Sequence, residues 1–182
     1  MSSSNDAIQD KAPVGVDSFF QPRRAAFWLL MFFLANGLFA TTAMFLTNYR
    51  FVPTTMFVGT GVWILYTIPI LLFFRSLDLF EQHAPLGFIL AFAWGGFGAV
   101  YLAIPANQAL FAIIAKVIVP AFSARWGAAI AGPSTEETLK LLGVVLLVLV
   151  ARTQFRTILS VVSVGAMVGL GFQIIEDLSY TA

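Results

Sequence analysis

Apolar stretches long enough to cross a lipid bilayer follow one another along most of this chain. A helix needs about 20 mainly apolar residues to span the hydrocarbon core. Of the 182 residues, 59% are hydrophobic and 10% are charged, which leaves little polar surface for a soluble domain. The sequence therefore predicts an all-α fold, a polytopic transmembrane helical bundle. Its five spans are predicted at about 25–47, 55–74, 86–106, 133–151 and 157–179.

The segments outside these spans are predicted as follows. Residues 1–24 are polar and rich in serine, so they are expected to form a disordered tail, and the transmembrane domain covers 25–182. Segment 107–132 contains an apolar stretch that is short for a span and includes a lysine and a proline. We expect an interfacial or re-entrant helix there. The alternative is a sixth span from about 108 to 131.

Basic residues in the loops indicate the orientation, because cytoplasmic loops are enriched in lysine and arginine. With five spans, six basic residues fall on the N-terminal side and three on the other; with six spans the tally is four against three. The five-span arrangement with a cytoplasmic N-terminus is therefore preferred. The six are Lys11, Arg23, Arg24, Arg75, Arg152 and Arg156, and the three are Arg50, Lys116 and Arg125.

The scarcity of cysteine and histidine restricts the chemistry. The chain has no cysteine, which excludes thiolate nucleophiles, iron–sulfur clusters and cysteine-ligated zinc within these residues. Its single histidine, His83, lies in a charged loop, where it is badly placed for a serine–histidine–aspartate triad and cannot complete a zinc site alone. A net charge of +1 without a basic aromatic patch gives no sign of nucleic-acid binding. Catalysis within this sequence would depend on carboxylates.

Ionisable side chains interrupt the last two apolar stretches. Glu136, Glu137 and Lys140 lie in the fourth predicted span, and Glu176 lies in the fifth. Such residues are costly at membrane depth and usually mark a polar cavity or a functional site. Because the link between the two spans is short, they should be antiparallel neighbours, which places all three glutamates at similar depth near the outer leaflet.

Helical spacing groups these residues on two faces. Glu136, Lys140 and Gly143 share one face of their helix. Four residues spaced 4, 3 and 4 share one face of the next helix: Gly165, Gly169, Phe172 and Glu176. Its two glycines form a GxxxG pattern, from which we expect close approach of a neighbouring helix.

Simpler explanations exist for some of the charges. Ser134 and Glu137 fit a capping box, with the serine as N-cap. Lys140 is at the spacing for a local ion pair with Glu136 or Glu137. Glu176 lies near a helix C-terminus, where the helix dipole disfavours an anion, so it is expected to have a cation or a proton as partner. Other polar membrane-proximal residues, Asn36, Asn107 and Gln108, carry little weight by themselves.

These two segments resemble the motifs of one protease family. The sequence PSTEETLK is similar to an EExxK motif, and GLGFQIIED is similar to an FxxxE motif that includes Phe172. Both are motifs of the PrsW family of intramembrane proteases, in the wider group of CAAX-processing and bacteriocin-immunity membrane peptidases. The family pattern continues with a third motif that contains histidine and aspartate. The chain therefore looks like an N-terminal portion of such a protein, or a short divergent member.

The resemblance implies an endopeptidase of the bacterial plasma membrane that cleaves membrane-anchored proteins near the membrane surface, with anti-sigma-factor-like substrates. The catalytic residues that it implies are Glu136, Glu137, Lys140 and Glu176. Glu137 is expected as base or metal ligand and Glu176 as second ligand or acid, around a divalent metal such as zinc if one is used. Lys140 would give electrostatic support.

Two other classes of function remain open. Intramembrane glutamate and lysine also mark ion pathways, so an ion-coupled carrier is an alternative, although the sequence shows no internal repeat. A non-catalytic membrane scaffold or inactive fragment is the other. In a scaffold, glutamate substitutions would change assembly or stability alone.

Overall fold

The computed structural model describes residues 19–77, 85–155 and 157–181, with the backbone alone for Arg75 and Leu77. Within these ranges the chain is helical and has no strand, which confirms the all-α prediction. Most of the predicted polar tail and His83 lie outside the described residues.

Seven α-helices and two π-helical segments make up the described chain. The first π-helical segment, Trp94–Ala99, joins α3 to α4, and the second, Gly132–Glu136, joins α5 to α6 without a break. The helices are α1 (Ala25–Phe51), α2 (Pro53–Leu77), α3 (Pro85–Ala93), α4 (Val100–Val117), α5 (Pro120–Ala131), α6 (Glu137–Val150) and α7 (Ile158–Tyr180).

Four helices are long and apolar enough to cross a membrane: Ala25–Phe51, Pro53–Phe74, Pro85–Val117 and Ile158–Tyr180. They contain four of the five predicted spans. The other predicted span, at 133–151, corresponds to the second π-helical segment and α6, which carry three charged side chains. That this helix crosses the membrane stays a prediction.

The ambiguous segment forms the two arms of a helical hairpin. Residues 107–117 continue α4, the chain reverses at Ile118 and Val119, and α5 packs back against α4. Val119 is extended because the ring of Pro120 disfavours helical backbone in the residue before it. The alternative, a sixth span from about 108 to 131, does not form one continuous helix, because the helix is interrupted at Ile118 and Val119. Whether α5 is interfacial or re-entrant stays a prediction.

The core surrounds Trp94, whose side chain is fully buried. Its indole Nε1 donates to the carbonyl oxygen of Leu139 at 3.0 Å. The ring occupies the space that Gly143 leaves empty, and a Cβ on that glycine would overlap the indole. This contact fixes α6 against the first π-helical segment.

Close backbone packing joins the first π-helical segment to α7. A Cβ on Gly95 would overlap the carbonyl oxygen of Val168, and one on Gly171 would overlap that of Phe92. The prediction that Gly165 and Gly169 make this close approach is wrong. A Cβ on Gly169 would meet nothing within 4 Å, and a Cβ on Gly165 would lie 3.9 Å from the side chain of Val144. The approach occurs at Gly171 instead, because the facing segment also carries glycines.

The start of α1 is tied to the end of α6. Arg24 donates from Nη1 to the carbonyl oxygens of Leu149, at 2.8 Å, and Val150, at 3.0 Å. These are among the last carbonyls of α6, which have no partner within the helix. Nearby, the rings of Phe19 and Phe155 lie 6.0 Å apart. Since α6 and α7 contact each other across a short link, the predicted antiparallel pair is confirmed.

Candidate active site

The EExxK segment lies inside a continuous helical run. The predicted capping box at Ser134 and Glu137 is wrong, because α5 already supplies helical backbone before the serine. The carbonyl of Ser134 accepts from the hydroxyl of Thr138 at 2.9 Å. The helix widens to π-form around Pro133, which has no N–H for the regular ladder. Glu136 is the last residue of this π-helical segment.

Glu136 and Glu176 line the same cleft, which has a volume of about 140 Å³. Its walls come from α1, α4, the second π-helical segment and α7. The short link between α6 and α7 explains why one glutamate near the start of α6 and another near the end of α7 meet at the same level. The cleft is lined by Met44, Val100, Ala103, Ile104, Asn107, Glu136, Phe172, Glu176, Ser179 and Tyr180.

Asn107 holds the carboxylate of Glu136. Its Nδ2 donates to Glu136 Oε1 at 2.9 Å. On the other side of the amide, the hydroxyl of Thr135 donates to Asn107 Oδ1 and also lies 2.7 Å from the carbonyl oxygen of Ala131. The side chain of Glu136 is therefore tied to α4 as well as to its own helix.

Glu137 lies outside the cleft. Its side chain is 66% exposed and accepts from Lys140 Nζ at 2.8 Å, so the predicted local ion pair at i and i+3 is confirmed. The lysine is only 20% exposed, and its Nζ lies 4.0 Å from the centre of the Phe172 ring. Phe172 also lines the cleft, so the ammonium contacts one of the residues that line it.

Two hydroxyl groups on its own helix contact Glu176. The hydroxyl of Tyr180 lies 3.4 Å from Glu176 Oε1, and the hydroxyl of Ser179 donates to the glutamate's backbone carbonyl at 2.6 Å. Asp177 accepts from Gln173 instead and is not a cleft residue. The structure thus brings Glu136 and Glu176 together in one cleft. Lys140 contacts the Phe172 ring that lines this cleft, and Glu137 lies outside it.

The carboxylates of the cleft are too few to make a complete zinc site from the described residues alone. No three histidine, cysteine, aspartate or glutamate side chains in these ranges lie close enough together to hold an ion. Catalytic zinc sites use three protein ligands and keep one position open. The two cleft carboxylates fall short of that set, so they do not fit a catalytic zinc by themselves.

Sequence reasoning missed part of the site. The sequence gives little reason to include Asn107 in the site, because the third predicted span ends at 106. In the structure the helix continues through Val117 and therefore includes Asn107. No sequence motif identifies Thr135 or Tyr180 as members of the site. One signal was available for the tyrosine, because it lies four residues after Glu176 and therefore on the same face.

Comparison with known proteins identifies the family of this chain. Residues 85–182, more than half of the chain, match the sequence model of a family described as PrsW family intramembrane metalloprotease. No curated protein and no solved structure matches the chain. The matched region contains both glutamate motifs and every cleft residue except Met44.

Proposed function

Since the chain belongs to the PrsW family of intramembrane metalloproteases, we propose that this membrane peptidase hydrolyses peptide bonds of membrane-anchored proteins near the membrane surface. The observation that carries the proposal is the meeting of Glu136 and Glu176 in one cleft. An inert scaffold would not require two carboxylates from different helices to face a common space. An ion-coupled carrier could also use such carboxylates, and the family match is what favours the peptidase over it.

The two carboxylates suit complementary roles in peptide hydrolysis. One can take a proton from water as it attacks the peptide carbonyl, and the other can give a proton to the departing amine. We assign the base to Glu136, because Asn107 holds one of its oxygens in place. We assign the acid to Glu176, which lies beside the hydroxyl of Tyr180. Glu137 is less suited as the base, since its carboxylate is paired with Lys140 on the exposed side.

Lys140 supports the reaction through its charge. Its ammonium lies over the Phe172 ring, and that ring lines the same cleft as Glu176. A fixed positive charge behind the cleft would favour the negative charge that develops on the attacked carbonyl oxygen. The lysine does not need to touch the substrate for this effect.

The position of the cleft suggests the class of substrate. Glu176 lies about one helical turn before the end of α7, so a substrate peptide bond would be cut close to one membrane surface. With a cytoplasmic N-terminus, this is the outer surface. Single-span proteins, such as anti-sigma-factor-like proteins of the bacterial plasma membrane, present a peptide at that level.

Co-expression with a panel of single-span reporter proteins tests the proposal. Glu136→Gln and Glu176→Gln are expected to abolish cleavage while the variants remain in the membrane at normal levels. Asp177→Asn is the matched control, because this neighbouring carboxylate bonds to Gln173 outside the cleft. Normal cleavage by both cleft variants would overturn the proposal. Glu137→Gln decides between the adjacent glutamates, since full loss there would move the base to Glu137.

A further inference from the structure

We propose that Asn107 is a positioning residue, which holds the Glu136 carboxylate toward the cleft through an amide whose other end is bound by Thr135. The inference rests on the proposed function for its kinetic consequence, but the hydrogen-bond network can be tested separately. Neither Asn107 nor Thr135 belongs to the EExxK or FxxxE motif.

The orientation of the amide follows from the chemistry of its neighbours. An ionised carboxylate can only accept hydrogen bonds, so the Asn107 side chain must present its NH₂ group to Glu136. The amide oxygen then faces Thr135, whose hydroxyl donates to it. With both ends engaged, the asparagine cannot rotate freely, and Glu136 Oε1 is fixed.

The same three residues can accommodate a protonated Glu136. Once Glu136 carries a proton, it can donate to the asparagine oxygen if the amide turns over. The amide NH₂ then faces Thr135, which can accept from it because its own hydroxyl proton has an alternative acceptor, the carbonyl oxygen of Ala131, 2.7 Å away. The network therefore keeps the glutamate in place before and after it takes a proton from water.

The half-buried position of Asn107 on α4 makes this contact specific. The side chain reaches Glu136 across 29 positions in sequence, and it does so because the hairpin of α4 and α5 places the two helices side by side. Charge-assisted hydrogen bonds of this kind are stronger than neutral ones. Loss of the donor is expected to lower kcat by about 10-fold to 100-fold with little change in KM.

Three substitutions separate positioning from packing. Asn107→Asp keeps the shape of the side chain but removes the donor and sets a second carboxylate against Glu136, so it should be the most damaging. Thr135→Val removes the hydroxyl without changing the size and should lower kcat, whereas Thr135→Ser should restore it. Asn36→Ala is the matched control, because within the described part of the chain Asn36 bonds to the carbonyl of Phe32 on its own helix, away from the cleft.

A second readout does not depend on cleavage. Dicyclohexylcarbodiimide modifies protonated carboxyl groups in apolar surroundings, and mass spectrometry locates the adduct. Asn107→Leu should speed modification of Glu136 several-fold, because the ionised carboxylate loses a donor that stabilises it. Asn36→Ala should leave the rate unchanged.

The outcomes distinguish the positioning role of Asn107 from the proposed protease function. Faster modification of Glu136 without any reporter cleavage would support the network and count against the protease. Unchanged modification in Asn107→Leu, or equal kcat for Thr135→Val and Thr135→Ser, would overturn the positioning role even if the glutamates proved essential.

Discussion

The indole of Trp94 fills the space beside Gly143 and donates to Leu139 one turn earlier on the same helix. The helix that carries the EExxK segment is therefore held by a buried aromatic side chain from the first π-helical segment. Packing of this kind tolerates little added volume. It links the stability of the bundle to the position of the cleft.

Gly143→Ala should destabilise the protein, because the new methyl group would overlap the Trp94 ring. We expect a loss of about 1–3 kcal/mol, measured as a lower midpoint of thermal unfolding in detergent. Gly169→Ala is the control, since nothing lies within 4 Å of the added carbon. Equal unfolding midpoints for the two variants would contradict this account of the contact.

Arg24→Gln should weaken the attachment of α1 to the end of α6. The guanidinium donates to two terminal carbonyls, and a cation near a helix C-terminus is also favoured by the dipole. The expected cost is about 1 kcal/mol, read from thermal unfolding. Arg23→Gln, a change of the same type at an exposed neighbouring position, should cost less. A larger loss of stability in the Arg23 variant would contradict the proposed role of Arg24 at the end of α6.

Lys140→Gln and Glu137→Gln distinguish two roles for the lysine. If Lys140 serves only as the partner of Glu137, the two substitutions should have equal effects. We expect the lysine variant to lower reporter cleavage more, because its ammonium also lies over the Phe172 ring beside the cleft. The ion pair itself should add little stability, since the glutamate is largely exposed. Cleavage rates and unfolding midpoints of both variants provide the measurement.

Tyr180→Phe should reduce cleavage modestly, by less than about 10-fold, because the hydroxyl lies at the long limit of a hydrogen bond to Glu176. Single-turnover rates with one reporter would measure the change. A loss as complete as that of Glu176→Gln would assign the tyrosine a direct role in proton transfer.

The pairing of α6 with α7 could be predicted from sequence because it depends on local information. Apolar length marks each helix, and a short link forces the two to be antiparallel. The charged residues inside them then had to lie at one level. The cleft that Glu136 shares with Glu176 is consistent with that reasoning.

The rest of the site depends on contacts that local patterns do not specify. Pro133 and Ser134 look like a helix start, and only the presence of α5 before them shows that the helix continues. A GxxxG pattern identifies small residues, but it does not say which face a partner will choose. The contact of Asn107 with Glu136 requires the hairpin of α4 and α5. The third predicted span ends at 106, so the sequence prediction does not include Asn107 in this helix.

The bond between Arg24 and the end of α6 also affects the order of assembly. Its two acceptors lie 125 and 126 positions later in the chain. At about 5–20 residues per second, synthesis of that interval takes on the order of 6–25 s. The first helix would therefore enter the membrane before its partner on α6 exists. The bond of Arg24 to α6 can form only after α6 has been made.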